Sequence, residues 1–333
     1  MKNWIKGLIG GPGDAQAPAK AGTPAAAPAP QAGAPDYGAE TDAAFYRWLT
    51  ASKGYDAPSE VEGRILDLVK RLARQPGEAA NLVPRVPEAI PRLLASLGDE
   101  DASVGQLSRQ VAEDVVLVAE VIREANSAYY RPISPVKNVE AAIMMLGQNG
   151  LRMLLARIAF RPLIKMQPDG FARQAAPPLW NQSVGCALAA SLMAPGLSTG
   201  VFESYLAGLM QNVGLVVALR LSDRVCEANR MPGKVPGSRS FGTALFAASR
   251  ELSGAIADHW AFPPEVGRAI VAADAPAEGA AGHLAQALAL GDRIAKLRLL
   301  IDARVLDEDD ALVSDGLDAF QRRCLGKLAN IEA

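Results

Sequence analysis

From Ala39 to Leu328 the apolar residues of this chain recur at helical spacing, and no segment alternates as a half-buried strand does. Phe45, Trp48 and Leu49 fit one helix face. Val61, Ile65, Leu66, Leu68, Val69 and Leu72 fit another, with Ser59 placed to cap it. Pro87 opens a helix through Ile90, Leu93, Leu94 and Leu97 that closes at Gly98-Asp99-Glu100-Asp101. Ser103 caps the next, with Leu107 and Val111 inward, and Asp114 precedes a run from Val115 to Ile122 that ends near Ala125. Helical spacing continues over 139–146 and 151–164, where Pro162 is expected to kink or stop the helix. It resumes over 178–194, 201–221, 243–260, 264–273, 280–303 and 309–328. Half the residues are apolar but only 5% are aromatic, and the abundance of Ala and Leu favours helix over strand. The pattern predicts an all-α fold.

Residues 10–35 form a Gly, Ala and Pro tract with almost no large apolar side chain, which cannot offset chain entropy and is expected to be a flexible, disordered segment. The expected organisation is therefore a flexible tract over 1–36, a helical lead-in over 37–80, a main helical domain over 81–275, and C-terminal helices over 276–333 packing on that domain. At the start, Trp4, Ile5, Leu8 and Ile9 are interrupted by Lys6, too short a run for a secretory core. That segment is open to two readings, a frayed terminus or one to two amphipathic turns that touch a membrane or a partner.

A net charge of -2 makes no case for a nucleic-acid binder or a polybasic membrane protein. No uninterrupted apolar run reaches the roughly 18–20 residues of a membrane span, so no transmembrane segment is expected. Cys186, Cys226 and Cys324 are far apart, contain no CxxC pair and read as small hydrophobes of a reducing compartment. A cytoplasmic location is the expectation.

Chemistry-bearing motifs are scarce. The two histidines, His259 and His283, make no HxxxH, HxH or HExxH spacing, and neither lies near a Ser or Cys in a nucleophile motif. Gly7, Gly10, Gly11 and Gly13 lack the preceding strand and the Gly-Lys-Ser/Thr ending of a phosphate loop. The acidic run from Asp307 to Asp310 reads as capping and dipole compensation for the helix that follows. Arg157, Arg161 and Lys165 share a helix face, with Leu154, Leu155 and Ile158 opposite. That face is either solvated or a docking surface for an acidic protein partner.

Against this background the segment Ala125-Asn126-Ser127-Ala128-Tyr129-Tyr130, followed by Pro132-Ile133-Ser134, Ala141-Ala142-Ile143 and Leu146-Gly147, resembles the signature of the HDOD family, helical relatives of the metal-dependent HD phosphohydrolases. Further elements follow in order over roughly 82–274. They are Leu82-Val83-Pro84 with Pro87, Leu151-Arg152, Leu179-Trp180 with Ser183, Leu206 to Met210, and Gly254 with Trp260 and Pro263.

The resemblance implies an HD-like helical bundle with flanking helices, in a bacterial signalling context. In an HD phosphohydrolase a His and an adjacent Asp hold a divalent metal that generates the nucleophile. Here the matching pair is Gln211-Asn212, the His after the Trp is Gln182, and a later His is Arg250. The later His-His pair falls at Ala273-Asp274, and the lysine common after the His-Asp pair is Leu215. Neutral amides coordinate a cation weakly, so neither a metal nor another cofactor is expected. Gln182, Gln211, Asn212, Arg250 and Asp274 are the candidate pocket residues. They either hydrogen-bond one another or bind a small anionic or nucleotide-like ligand through Arg250. The function expected is that of a non-catalytic regulatory protein working through protein–protein interaction. The alternatives are a nucleotide-like ligand sensor and, against the ligand chemistry, a residual phosphohydrolase.

Overall fold

The computed structural model describes residues 36–50, 59–82, 104–112, 115–126, 132–165, 167, 170–231, 235–273 and 279–329. Among them the chain is helical, without a β-strand. The predictions for the 10–35 tract, the amphipathic start, the helix after Pro87 and the caps Ser103 and Asp114 lie outside the described residues, as does the side chain of Ser59.

The helices, in chain order, are α1 Tyr37–Leu49, α2 Ser59–Ala73, α3 Pro76–Asn81, α4 Val104–Ala112, α5 Val115–Ala125, α6 Val139–Lys165 and α7 Gly170–Met193. They continue with α8 Val201–Met210, α9 Val213–Ala228, α10 Arg239–His259, α11 Pro264–Val271, α12 Gly279–Asp302, α13 Ala311–Ser314 and α14 Ala319–Leu328. Residues 37–333 form one compact unit.

The centre of that unit is the pairing of α7 with α12, the broadest helix–helix contact in it. Both helices are apolar around most of their circumference, as a helix enclosed by others must be. Ala189 and Met193 of α7 pack with Ala287, Ile294 and Leu297 of α12, and α14 adds Cys324, Leu325 and Leu328. The two helices approach closely because Gly291 faces α7. A Cβ there would lie 2.7 Å from Ala190 N and 2.8 Å from Cys186 O, inside van der Waals contact. A second apolar cluster joins α4, α5 and α6 through Val111, Val121, Ala125, Ile143, Leu146 and Leu154. All three cysteines are free and buried.

One predicted break is present, and four boundaries differ from the sequence reading. Gly147, with φ 68° and ψ 174°, breaks the helical path of α6 between the two pieces that the sequence predicts, 139–146 and 151–164, in a conformation for which a Cβ is unsuited. The second piece runs past Pro162 and ends three residues later at Lys165. The helix expected from Pro178 starts at Gly170 and contains Pro177 and Pro178. Its N-terminus is satisfied from a distance. The Asp223 carboxylate of α9 accepts the backbone N–H groups of Phe171 and Ala172, both at 3.0 Å, which local sequence cannot reveal. The stretch expected as one helix over 201–221 is two, broken at Gln211-Asn212. The last stretch is also two helices, α13 capped by Asp310 and α14 by Asp318. Asp310 of the acidic run is thus a helix cap.

By length and composition alone, the stretch Val201–Ala228 is long and apolar enough for a bilayer span. Within this fold 89% of its most apolar window is buried, as for a core helix pair.

Candidate functional site

The break between α8 and α9 builds the site. Gln211 and Asn212 turn the chain tightly with φ, ψ of -57°, -31° and -91°, -1°. Breaking a helix frees backbone groups that need partners when buried. Ser253 of α10 supplies them: its Oγ donates to Gln211 O at 2.6 Å and accepts from Gly214 N at 2.8 Å. The turn thereby holds two buried amide side chains against α7 and α12.

They converge on Asp292, in the middle of α12. Its Oδ1 accepts from Gln182 Nε2 at 2.6 Å and from Gln211 Nε2 at 2.9 Å. Its Oδ2 accepts from Lys296 Nζ at 2.6 Å and faces Arg250 Nη2 at 3.3 Å. Asn212 Nδ2 donates to Gln182 Oε1 and, at 2.9 Å, to Ser183 Oγ. Asn212, Gln182 and Asp292 therefore form a directed chain of amide donors that ends on a carboxylate. Lys296 Nζ also donates to Asp42 Oδ1 of α1 at 2.6 Å and stands 4.7 Å from the centre of the Phe246 ring. Two cations and two carboxylates balance, and the aromatic face adds to the stabilisation of the ammonium.

Burial opposes the ionised form of Asp292, but the charges of Lys296 and Arg250, with the bonds from Lys296 and Gln211, overcome it and hold the carboxyl below its usual range. Burial likewise opposes the charge on Lys296, and Asp292 and Asp42 overcome it and raise its pKa. Cys186, beneath the cluster, is pushed well up by burial and then by Asp292, and it stays a thiol.

The structure thus brings Gln182, Gln211, Asn212 and Arg250 into one buried group. Asp274 lies outside the described residues. Sequence reasoning missed the hub, Asp292, and its partners Lys296 and Asp42. The available signal was an Asp and a Lys four residues apart in the largely apolar run 284–300, which also carries Gln286, Arg293 and Arg298.

The group does not fit a divalent metal. Both oxygens of Asp292 are engaged by donors, two positive side chains flank it, and the remaining groups are neutral amides that present N–H. Among the described residues no three His, Cys, Asp or Glu side chains gather as metal ligands. Both histidines are exposed, His259 at the end of α10 and His283 on α12. The space left beside Asp292 and Lys296 is about 10 Å³ for a water-sized sphere, too little for a nucleotide in this conformation.

Of the three docking candidates on α6, Arg157 is half-buried and paired with Glu124 of α5. Burial acts to lower its pKa, and Tyr205 and Glu124 outweigh it. Arg161 is exposed, and Lys165 is partly buried with its pKa lowered by burial and by Arg161. Elsewhere in the signature segment, Asn126 clamps the connection into α6. Its Nδ2 donates to Val136 O and Ile122 O, and its Oδ1 accepts from Val136 N, each at 2.8 Å.

Comparison with known proteins agrees with this architecture. An uncharacterized protein of Treponema pallidum (strain Nichols) is 22% identical over 206 residues, which is 59% of this chain and 38% of that protein's length. The chain therefore spans well under half of that relative. A solved HDOD domain protein of unknown function from Geobacter sulfurreducens superposes with a TM-score of 0.56 at 24% identity, covering 79% of this chain and 94% of its own. A Shewanella amazonensis SB2B structure, provisionally named a metal-dependent phosphohydrolase, gives 0.54 at 20% identity, over 81% of this chain and 99% of its own. One from Marinobacter aquaeolei VT8, provisionally named a signal transduction protein, gives 0.52 at 23% identity, over 78% and 63%. These likenesses show the fold. The HDOD domain family matches residues 83–276, more than half of the sequence, and with the signature segment and the helical bundle in place the chain belongs to the HDOD family.

Proposed function

We propose that this protein is a non-catalytic regulatory module of bacterial signalling, working in the cytoplasm through protein–protein contacts. The observation that carries this reading is the closed state of the residues at the former metal-ligand positions. Gln182, Gln211, Asn212 and Arg250 spend their polar atoms on one another and on Asp292, and Lys296 supplies the positive charge that an HD hydrolase takes from its metal. A buried polar network satisfied in this way fixes a unique core rather than a reacting centre. The name of the Marinobacter aquaeolei neighbour is consistent with a signalling role.

The exposed end of α6 is the proposed docking face, with Arg161 as its outermost charge and Lys165 beside it. Arg157 belongs to the internal pair with Glu124, so reversing it would set two carboxylates together and disturb α5–α6 packing. The test compares affinity capture from native cytoplasm by the wild type and by Arg161→Glu/Lys165→Glu, alongside metal content and phosphodiester turnover of the purified protein. A stoichiometric partner lost in the variant, with no turnover, supports the reading. Bound metal with turnover overturns the non-catalytic part. Equal capture by both proteins removes α6 as the docking face. The ligand-sensor alternative requires the cluster to open, and a specific thermal stabilisation by a nucleotide would favour it.

A further inference from the structure

Beside the cluster one small cleft remains, lined by Asn212, Phe246, Ser249, Arg250, Asp292 and Lys296. Its room for a water-sized sphere, about 10 Å³, corresponds to one water. Ser249 faces it. The residue is 2% exposed and its Oγ has no hydrogen-bond partner among the described residues. A helical serine normally satisfies itself on the carbonyl one turn back. Ser204 does so to Gly200 O at 2.7 Å and Ser222 to Ala218 O at 2.9 Å, whereas Ser249 makes no such bond to Leu245 O. An unpaired buried hydroxyl beside charged groups is a site that calls for a partner.

We propose that this cleft binds a single ordered water, bridging the Ser249 hydroxyl to the Asp292, Lys296 and Arg250 group. A third cation would face the charges of Lys296 and Arg250, and an anion would face the Asp292 carboxylate. Water both donates and accepts, and it is the polar molecule that fits the volume. The assignment rests on the reading of the cluster as a closed, non-catalytic core, which it completes.

The test is a crystal structure of the full chain at a resolution that orders internal waters, with a bromide-soaked crystal and the Ser249→Ala variant. The expected result is one peak within hydrogen-bonding distance of Ser249 Oγ and of at least one of the three charged groups, without bromide signal, and weakened or lost in Ser249→Ala. A dry cleft with Ser249 turned onto Leu245 O overturns the water assignment and leaves the non-catalytic reading standing. Bromide at the site overturns it in favour of an anion, and a peak unchanged in Ser249→Ala removes Ser249 from the site. A larger molecule in an opened cleft overturns both readings.

Discussion

Lys296 lies one helical turn beyond Asp292 on α12, and its Nζ is 2.6 Å from Asp292 Oδ2 and 2.6 Å from Asp42 Oδ1 of α1. An ammonium that links two carboxylates from helices far apart in sequence ties the start of the bundle to its last long helix. Removing one partner of a buried pair leaves an uncompensated charge, which costs about 3–5 kcal/mol. Lys296→Met and Asp292→Asn are each expected to destabilise by about that amount in urea unfolding. The double variant is expected to lose clearly less than the sum of the two, since Lys296 and Asp292 then leave together and only Arg250 and Asp42 keep unmatched charges. Additive losses would show that the two side chains are not coupled.

The same pair sets a pH window. The folded pKa of Asp292 is depressed, so its contribution is present above the unfolded value of about 3.9 and is lost as pH falls through the folded value. The folded pKa of Lys296 is raised, so its contribution is complete below about 10.4 and is lost as pH rises through the folded value. Unfolding free energy is therefore expected to receive a constant contribution from this pair between those limits and to lose it on both sides. The Asp292→Asn/Lys296→Met variant should show shallower acid and alkaline limbs than wild type in urea titrations across pH.

The all-α class was legible because periodicity depends on local spacing, and the amide positions at Gln182, Gln211 and Asn212 were legible because a motif marks them. What the sequence hid was long-range. The start of α7 is capped by Asp223, some fifty residues on, so the proline pair at Pro177-Pro178 misled as a boundary. The break at Gln211-Asn212 is stabilised by Ser253 from another helix, and nothing in the apolar run 201–221 announces it. Asp292 escaped for a related reason. It follows the family-matched stretch, in a helix that read as flanking, and an Asp–Lys pair four residues apart usually signifies an exposed helical ion pair.

Those long-range ties predict how the chain tolerates trimming. The family match ends at residue 276, but Lys296 and Asp292 lie beyond it and Asp42 before it. Cutting the chain to 83–276 removes α12, the broadest partner of α7, and leaves Gln182, Gln211 and Arg250 buried around no carboxylate. That fragment is expected to lack a cooperative thermal transition, whereas 37–333 keeps one close to that of the full chain. Differential scanning calorimetry of the two fragments decides it, and a cooperative transition in 83–276 would show that the outer helices are dispensable.

Whether the internal ammonium stands in for a metal can be tested by restoring the ligand types that the resemblance implies. Gln182→His, Gln211→His and Asn212→Asp return two imidazoles and a carboxylate to positions that bond to Asp292 directly or, for Asn212, through Gln182. With Lys296 in place, the triple variant is expected to bind no Mn²⁺ in calorimetric titration. The ammonium holds Asp292 Oδ2, and its charge repels a cation brought to the same carboxylate. Adding Lys296→Ala removes that charge and frees the oxygen, and the quadruple variant is expected to bind Mn²⁺ with release of protons from the imidazoles. Binding by the triple variant would show that Lys296 does not occupy the cation's place. Failure of the quadruple variant, with its fold intact by circular dichroism, would locate the obstacle at Arg250, whose guanidinium still faces Asp292 Oδ2 at 3.3 Å.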